Sequence, residues 1–368
     1  MMNKKILITI IIIIISTLSF SRSFLGLIGI IPWHYGYSDV FNEDRIDPAL
    51  ANQIPYLERA IEYPVITGFF IYLMWFLGKS LLGYAIYTWI FLTVFAIITA
   101  LVLSELADFL KIEEKRTFWF FIFAPSLLFF SVYNWDIIAV MFMVLAVYFF
   151  YKDKQTFAAV SLALGFSAKL FPLIILPLMV LKTSRKEGIK MISIFLATFF
   201  VLNVYFIANS FNPWTSTYLF HGLRGPNMDS IWALIPLGTN EINMMSMSLF
   251  LMSYLILVFN HKKYGLISLS FMSLLLFLLF NKVFSPQYLL WLLPFFVLHK
   301  TLPKTAFYPL ETVNLAVFFS TLYWIFASRG QIFLSISHIF VVARSVLLAY
   351  ILYLVLSRTP NQNYHIAN

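Results

Sequence analysis

Long apolar runs recur along the whole chain, separated by short polar junctions. Runs near 20 residues have the length of a helix that crosses a bilayer, and none shows the ~10-residue alternation of an outer-membrane strand. With no water in the hydrocarbon to serve the backbone, the pattern predicts a single all-α, polytopic integral membrane domain over residues 1–368. Lys and Arg gather at alternate junctions: Lys4–Lys5, Lys111–Arg116, Lys152–Lys154, Lys182–Lys190, Lys262–Lys263, Lys300–Lys304 and Arg358. Such clusters mark cytoplasmic ends. The segments between them must then cross in pairs, turning outside at "YNWD" (133–136), "SAKLFP" (167–172), "NKVFSPQ" (281–287) and "SRGQ" (328–331), with an external loop at 210–238.

The first run exits to an external loop at 32–63, and Lys111 must be inside again. Residues 64–110 therefore supply an odd number of crossings, although they hold two apolar pieces. The shorter piece, "PVITGFFIYLMWFLG" (64–78), falls below the ~20 residues of a span, so it is expected to lie along the outer interface. That leaves about twelve spans with both termini cytoplasmic, in a cell membrane. The basic, apolar start also has the form of a secretory signal, but apolar sequence continues through "FLGLIGIIPW", which favours a retained first helix. Pro172, Pro177, Pro286 and Pro294 interrupt other spans. Broken backbone at that depth needs protein or water to satisfy it, which implies turns sunk into an outward-open cavity.

Composition narrows the classes. The chain is 61% hydrophobic and 11% charged, against about 25% charged in a soluble domain. Its net charge of +9 sits at the junctions, which points to anionic lipid and excludes a nucleic-acid partner. The absence of cysteine excludes disulfides and thiolate chemistry. Gly78-Lys79-Ser80 is no phosphate loop, because Leu73 stands where a glycine is needed. HExxH, GxGxxG and GxSxG motifs are missing.

The candidate chemistry lies in the external turns. Loop 32–63 carries Asp39, Glu43, Asp44, Asp47, Glu58 and Glu62 against Arg45 and Arg59. Asp39 stands nearest the membrane exit, between Tyr37 and Val40, where partial desolvation raises a carboxyl pKa and suits a general base. The other turns offer Asn134 and Asp136, then Lys169, then His221, Arg224 and Asp229, then Lys282, Gln287 and Tyr288. One outward lysine would only snorkel into headgroups. Three cationic turns on the side opposite the positive-inside bias instead describe an anion site, with phosphate the natural occupant. Arg344, inside the last span, either faces this cavity or pairs with a neighbour.

These segments carry a resemblance. "YSDV", "IPYLERAIEYPVITG", "NWDIIAV", "LALGFSAKLFPLIILP", "HGLRGPNMDSIW" and "NKVFSPQYLLWLLP" together resemble the GT-C superfamily of membrane glycosyltransferases. The similarity covers residues 37–294 and is greatest to polyprenyl-phosphate-mannose-dependent mannosyltransferases, including glycosyltransferase family 87. The "SPQYLLWLLP" turn is also similar to the first mannosyltransferase of GPI-anchor synthesis. The family often has a second proline after "EYP", where this chain has Val65, and no DxD follows Asp39. The resemblance implies a sugar taken from a polyprenyl phosphate on the external face, with an acid of the first external loop as base. On that basis Asp39 is the expected catalytic residue. Lys282, Lys169, Arg224 and His221 are expected at the donor phosphate; Glu62, Tyr63, Asn134, Asp136, Asp229, Gln287 and Tyr288 are expected at substrate. The expected partners are a polyprenyl-phosphate sugar, a glycan or glycolipid acceptor and the bilayer. No metal ligand or cofactor is assigned. A flippase for a lipid-linked sugar would need a similar cavity, but no internal repeat links the two halves.

Overall fold

The computed structural model describes residues 3–50, 52–327 and 334–358; the expected "SRGQ" turn lies outside them. The described residues are helical, with no strand beyond one isolated bridge between Pro55 and Arg59. Among the described residues, five helices are long and apolar enough to cross a membrane: Lys4–Leu27, Leu81–Phe109, Arg185–Asn209, Thr239–Phe259 and the one ending at Arg358. Six further apolar helical stretches are shorter, among them Val65–Gly78, Gln155–Ala168 and Leu266–Phe280. This marks a membrane-embedded, all-α protein. Residues 210–238, read from sequence as loop, contain a helix at Phe211–Leu223. The 32–63 loop likewise contains Glu43–Leu50 and a 3-10 turn at Asp39–Phe41.

The chain forms two compact units. The first comprises residues up to 30, 36–103 and 128–222; the second comprises 31–35, 104–127 and the chain from 223 on.

In the first unit, Gln155–Ala168 packs against Asp136–Tyr151, Arg185–Asn209 and Val65–Gly78. Its buried residues are mostly small (Ala158, Ala159, Ser161, Ala163, Gly165, Ala168), which lets neighbouring backbones approach closely. The helix stops where Pro172 has no N–H for the carbonyl of Ala168. The Thr67 hydroxyl donates to that carbonyl instead, at 2.8 Å, and Lys169 leaves in extended conformation. The first helix passes Gly36 so closely that a Cβ on Gly26 would stand 2.6 Å from the Gly36 Cα.

In the second unit, Leu266–Phe280 is buried on nearly every side and packs against Thr239–Phe259 and Leu334–Arg358. The chain leaves it at Asn281 and resumes as a 3-10 turn at Pro286–Trp291, then helix Leu293–Leu298. The Phe280 carbonyl, left at the helix end, accepts from Ser246 Oγ at 2.6 Å and Trp232 Nε1 at 2.8 Å. Arg116 serves the end of Leu293–Leu298, donating to the carbonyls of Phe296, Val297, His299 and Leu302.

Because the Gly36 backbone cannot yield, Gly26→Ala should lower stability by about 1–3 kcal/mol in thermal unfolding of the detergent-solubilised protein. Gly222→Ala, with nothing within 4 Å of the new Cβ, should change it by about 0.5 kcal/mol or less.

Candidate active site

Asp39 is held by its neighbours before it makes any contact of its own. Ser38 Oγ donates to the carbonyl of Tyr133 at 2.8 Å, and the Val40 N–H points at the same carbonyl at 3.3 Å. Arg22 of the first helix donates to the carbonyl of Tyr37 at 3.3 Å. The loop is thereby tied to two separate segments, and the Asp39 carboxylate is left 6% exposed. Tyr37 donates its hydroxyl to Asp39 Oδ1 at 3.1 Å, and Asn42 Nδ2 donates to the Tyr37 oxygen at 2.9 Å. Burial pushes the Asp39 acid above the usual carboxylate range; Arg45, the Tyr37 hydrogen bond and Lys169 oppose this, and Asp136 adds to it. Tyr37 is itself pushed up by burial and by Asp39, so it stays a donor.

Several polar groups of the same unit are in pairs. Lys169 is hydrogen-bonded and ion-paired to Asp136, the first residue of Asp136–Tyr151, whose N–H is capped by Asn134 Oδ1 at 3.0 Å. Arg45 is ion-paired to Glu62. Tyr63 meets Trp135 edge-on, with ring centroids 4.9 Å apart. His221 Nε2 lies 2.9 Å from the Glu62 carbonyl, to which it donates. Three carboxylates (Asp39, Asp136, Glu62) thus stand with Lys169 and Arg45, each of which has a carboxylate partner, while Arg22 holds the Tyr37 carbonyl. The sequence placed Lys169 among phosphate ligands; the fold gives it a carboxylate as well. Paired in this way, the carboxylates can also accept hydrogen bonds from hydroxyl groups.

In the second unit the balance is reversed. Lys282 is 8% exposed; its N–H donates to Ser246 Oγ at 3.2 Å and its carbonyl accepts from the Asn227 N–H at 3.1 Å. Burial, then repulsion from Arg224, lowers the pKa of its ammonium. Lys282 is the desolvated group of the two, and Arg224, only partly buried, adds to the cost of its charge. Asn227 joins the two loops further, accepting from the Phe284 N–H at 2.9 Å and donating to Ser285 Oγ at 3.1 Å and Asp229 Oδ2 at 3.3 Å. Buried Arg344 closes the cluster, donating to the carbonyls of Asp229 and Phe284 and to Asn314 Oδ1, with its guanidinium 3.7 Å from the Phe284 ring centroid. Arg344 thus pairs with neighbours, through two backbone carbonyls and an amide oxygen. Burial pushes the Asp229 acid up to about 6, opposed by Arg344. Gln287 is buried in the following turn, and Tyr288 stacks on Trp291 at 4.0 Å.

Tyr37, Arg45 and Asn227 are residues that sequence left without roles. The contacts of Arg45 and Asn227 join segments distant along the chain, and the nearness of Tyr37 to Asp39 was the usable signal. Among the described residues no three His, Asp or Glu side chains gather as a metal site. No family of known proteins matches the chain, and no curated protein matches it either.

Breaking the Lys169–Asp136 pair leaves a carboxylate in a dry place. Lys169→Met should therefore lower stability by about 3–5 kcal/mol in denaturant or thermal unfolding. The double change Lys169→Met/Asp136→Asn should recover most of the loss.

Proposed function

We propose that this protein is a membrane glycosyltransferase. It moves a hexose, mannose by the resemblance, from a polyprenyl phosphate to an acceptor hydroxyl on the external face. The observation that carries this reading is Asp39: a buried carboxylate, fixed through both chain neighbours, weakened as an acid by burial and set among polar groups suited to hydroxyls. In one inverting displacement, Asp39 takes the proton of the acceptor hydroxyl as its oxygen bonds to the anomeric carbon. The bond from that carbon to the phosphate oxygen breaks, and polyprenyl phosphate leaves with the electron pair. No second carboxylic acid is needed, because the leaving group is already a phosphate.

Glu62, Asp136 and Asn134 bind sugar or acceptor hydroxyls in this reading, and Tyr63 packs against a ring. The donor phosphate is assigned to Lys282 with Arg224, whose mutual repulsion an anion relieves. The reading also includes about twelve crossings, an external 32–63 loop, an interfacial Val65–Gly78 helix and cytoplasmic termini. Support comes from the alternating basic junctions and the order of the polar turns.

Purified protein with radiolabelled polyprenyl-phosphate mannose and extracted lipids should yield a new glycosylated product. Asp39→Asn should cut turnover by about 10²–10⁴-fold with donor affinity unchanged, whereas Lys282→Ala should weaken donor binding. Near-normal turnover in Asp39→Asn removes it as the base. Movement of intact donor between leaflets without product identifies a flippase instead.

A further inference from the structure

Three of the basic junctions, far apart in sequence, meet at one turn of the second unit, residues 299–303. Arg116 donates to the carbonyls of Phe296, Val297, His299 and Leu302. Arg358, the last residue of Leu334–Arg358, donates to the Thr301 carbonyl at 2.9 Å. Two guanidiniums thus rest on consecutive carbonyls, those of Thr301 and Leu302. Lys304 opens the next helix, and three residues of chain reach no further than about 10 Å from Thr301. A carbonyl satisfies an N–H without cancelling its charge, so positive charge from three segments collects at this turn. Arg358 and Lys304 are exposed there.

Aromatic rings adjoin the cations. Lys304 Nζ sits 3.5 Å from the centroid of the Trp119 ring. Tyr308, one turn along the same helix, donates its hydroxyl to the Trp119 carbonyl at 2.9 Å. Trp119 packs on Phe123, four residues further from the charged junction, with ring centroids 5.9 Å apart, and both rings are exposed. Cation, indole and apolar ring follow one another as phosphate, glycerol and acyl chain do at the edge of a bilayer. We infer that this corner of the second unit binds an anionic phospholipid, with its phosphate on Lys304 and Arg358 and its chain along Trp119 and Phe123. Arg358 offers a planar fork to phosphate and Lys304 a point charge. In the proposed topology the corner lies on the cytoplasmic side, where anionic lipid is concentrated. The inference does not depend on the transferase reading. It replaces a diffuse attraction between basic junctions and membrane with one site built from three of them.

The test is native mass spectrometry of the full chain, delipidated in detergent and given equal phosphatidylglycerol and phosphatidylcholine. Phosphatidylglycerol should be retained in preference, and the double change Lys304→Gln/Arg358→Gln should reduce its binding about tenfold. Lys262→Gln/Lys263→Gln removes the same charge from a separate junction of the same unit and should leave binding within about twofold. A phosphatidylglycerol with a diazirine in its acyl chain should label residues 119–123, and Trp119→Ala should weaken its retention. Equal loss in the two double variants, or no preference for phosphatidylglycerol, reduces the corner to diffuse charge and overturns the inference. Release of the lipid by millimolar inorganic phosphate marks a site for free anion and overturns it as well. Acyl-chain adducts confined to other segments overturn the placement along Trp119 and Phe123.

Discussion

A carbonyl released by a broken helix has no water to turn to inside a bilayer, and the fold is organised around finding it a donor. Ala168 loses its partner to Pro172 and receives the Thr67 hydroxyl. Phe280 ends its helix against Ser246 and Trp232. Arg116 gathers four carbonyls around the end of Leu293–Leu298, and Arg344 holds those of Asp229 and Phe284. Each repair draws polar side chains to a depth where apolar ones would otherwise pack. The breaks therefore collect the chemistry of the molecule.

The same constraint sorts the charges. In the first unit Lys169 and Arg45 each have a carboxylate partner, and burial is the largest influence on the acid strength of Asp39. In the second, burial and then Arg224 lower the pKa of the Lys282 ammonium. Under the proposed reading Asp39 would accept the proton and Lys282 with Arg224 would meet the phosphate, the two chemical needs of sugar transfer from a lipid phosphate. The reading as a glycosyltransferase grows from that division of labour.

Much of the helical architecture is legible in the sequence because its causes are local. Apolar runs set the helices, and Pro172 and Pro286 set the breaks within a residue or two. Asp39 is legible from its place beside Tyr37 at the membrane exit. The Lys169–Asp136 pair is not, since it joins residues 33 apart through the packing of two helices. Nor is the clamp by Arg344, whose partners come from three separate segments. The helix at Phe211–Leu223 was hidden for another reason: its Pro213 and polar side chains read as loop, although proline is tolerated in a first turn.

The account turns on a buried Asp39 acting as base, and the pH dependence of kcat/KM tests it most directly. The rising limb should have an apparent pKa above the ordinary carboxylate range, with activity lost as pH falls through it. Tyr37→Phe removes a hydrogen bond that favours the carboxylate, so the limb should move to still higher pH. A limb at ordinary carboxylate values, unmoved by Tyr37→Phe, would contradict the assignment.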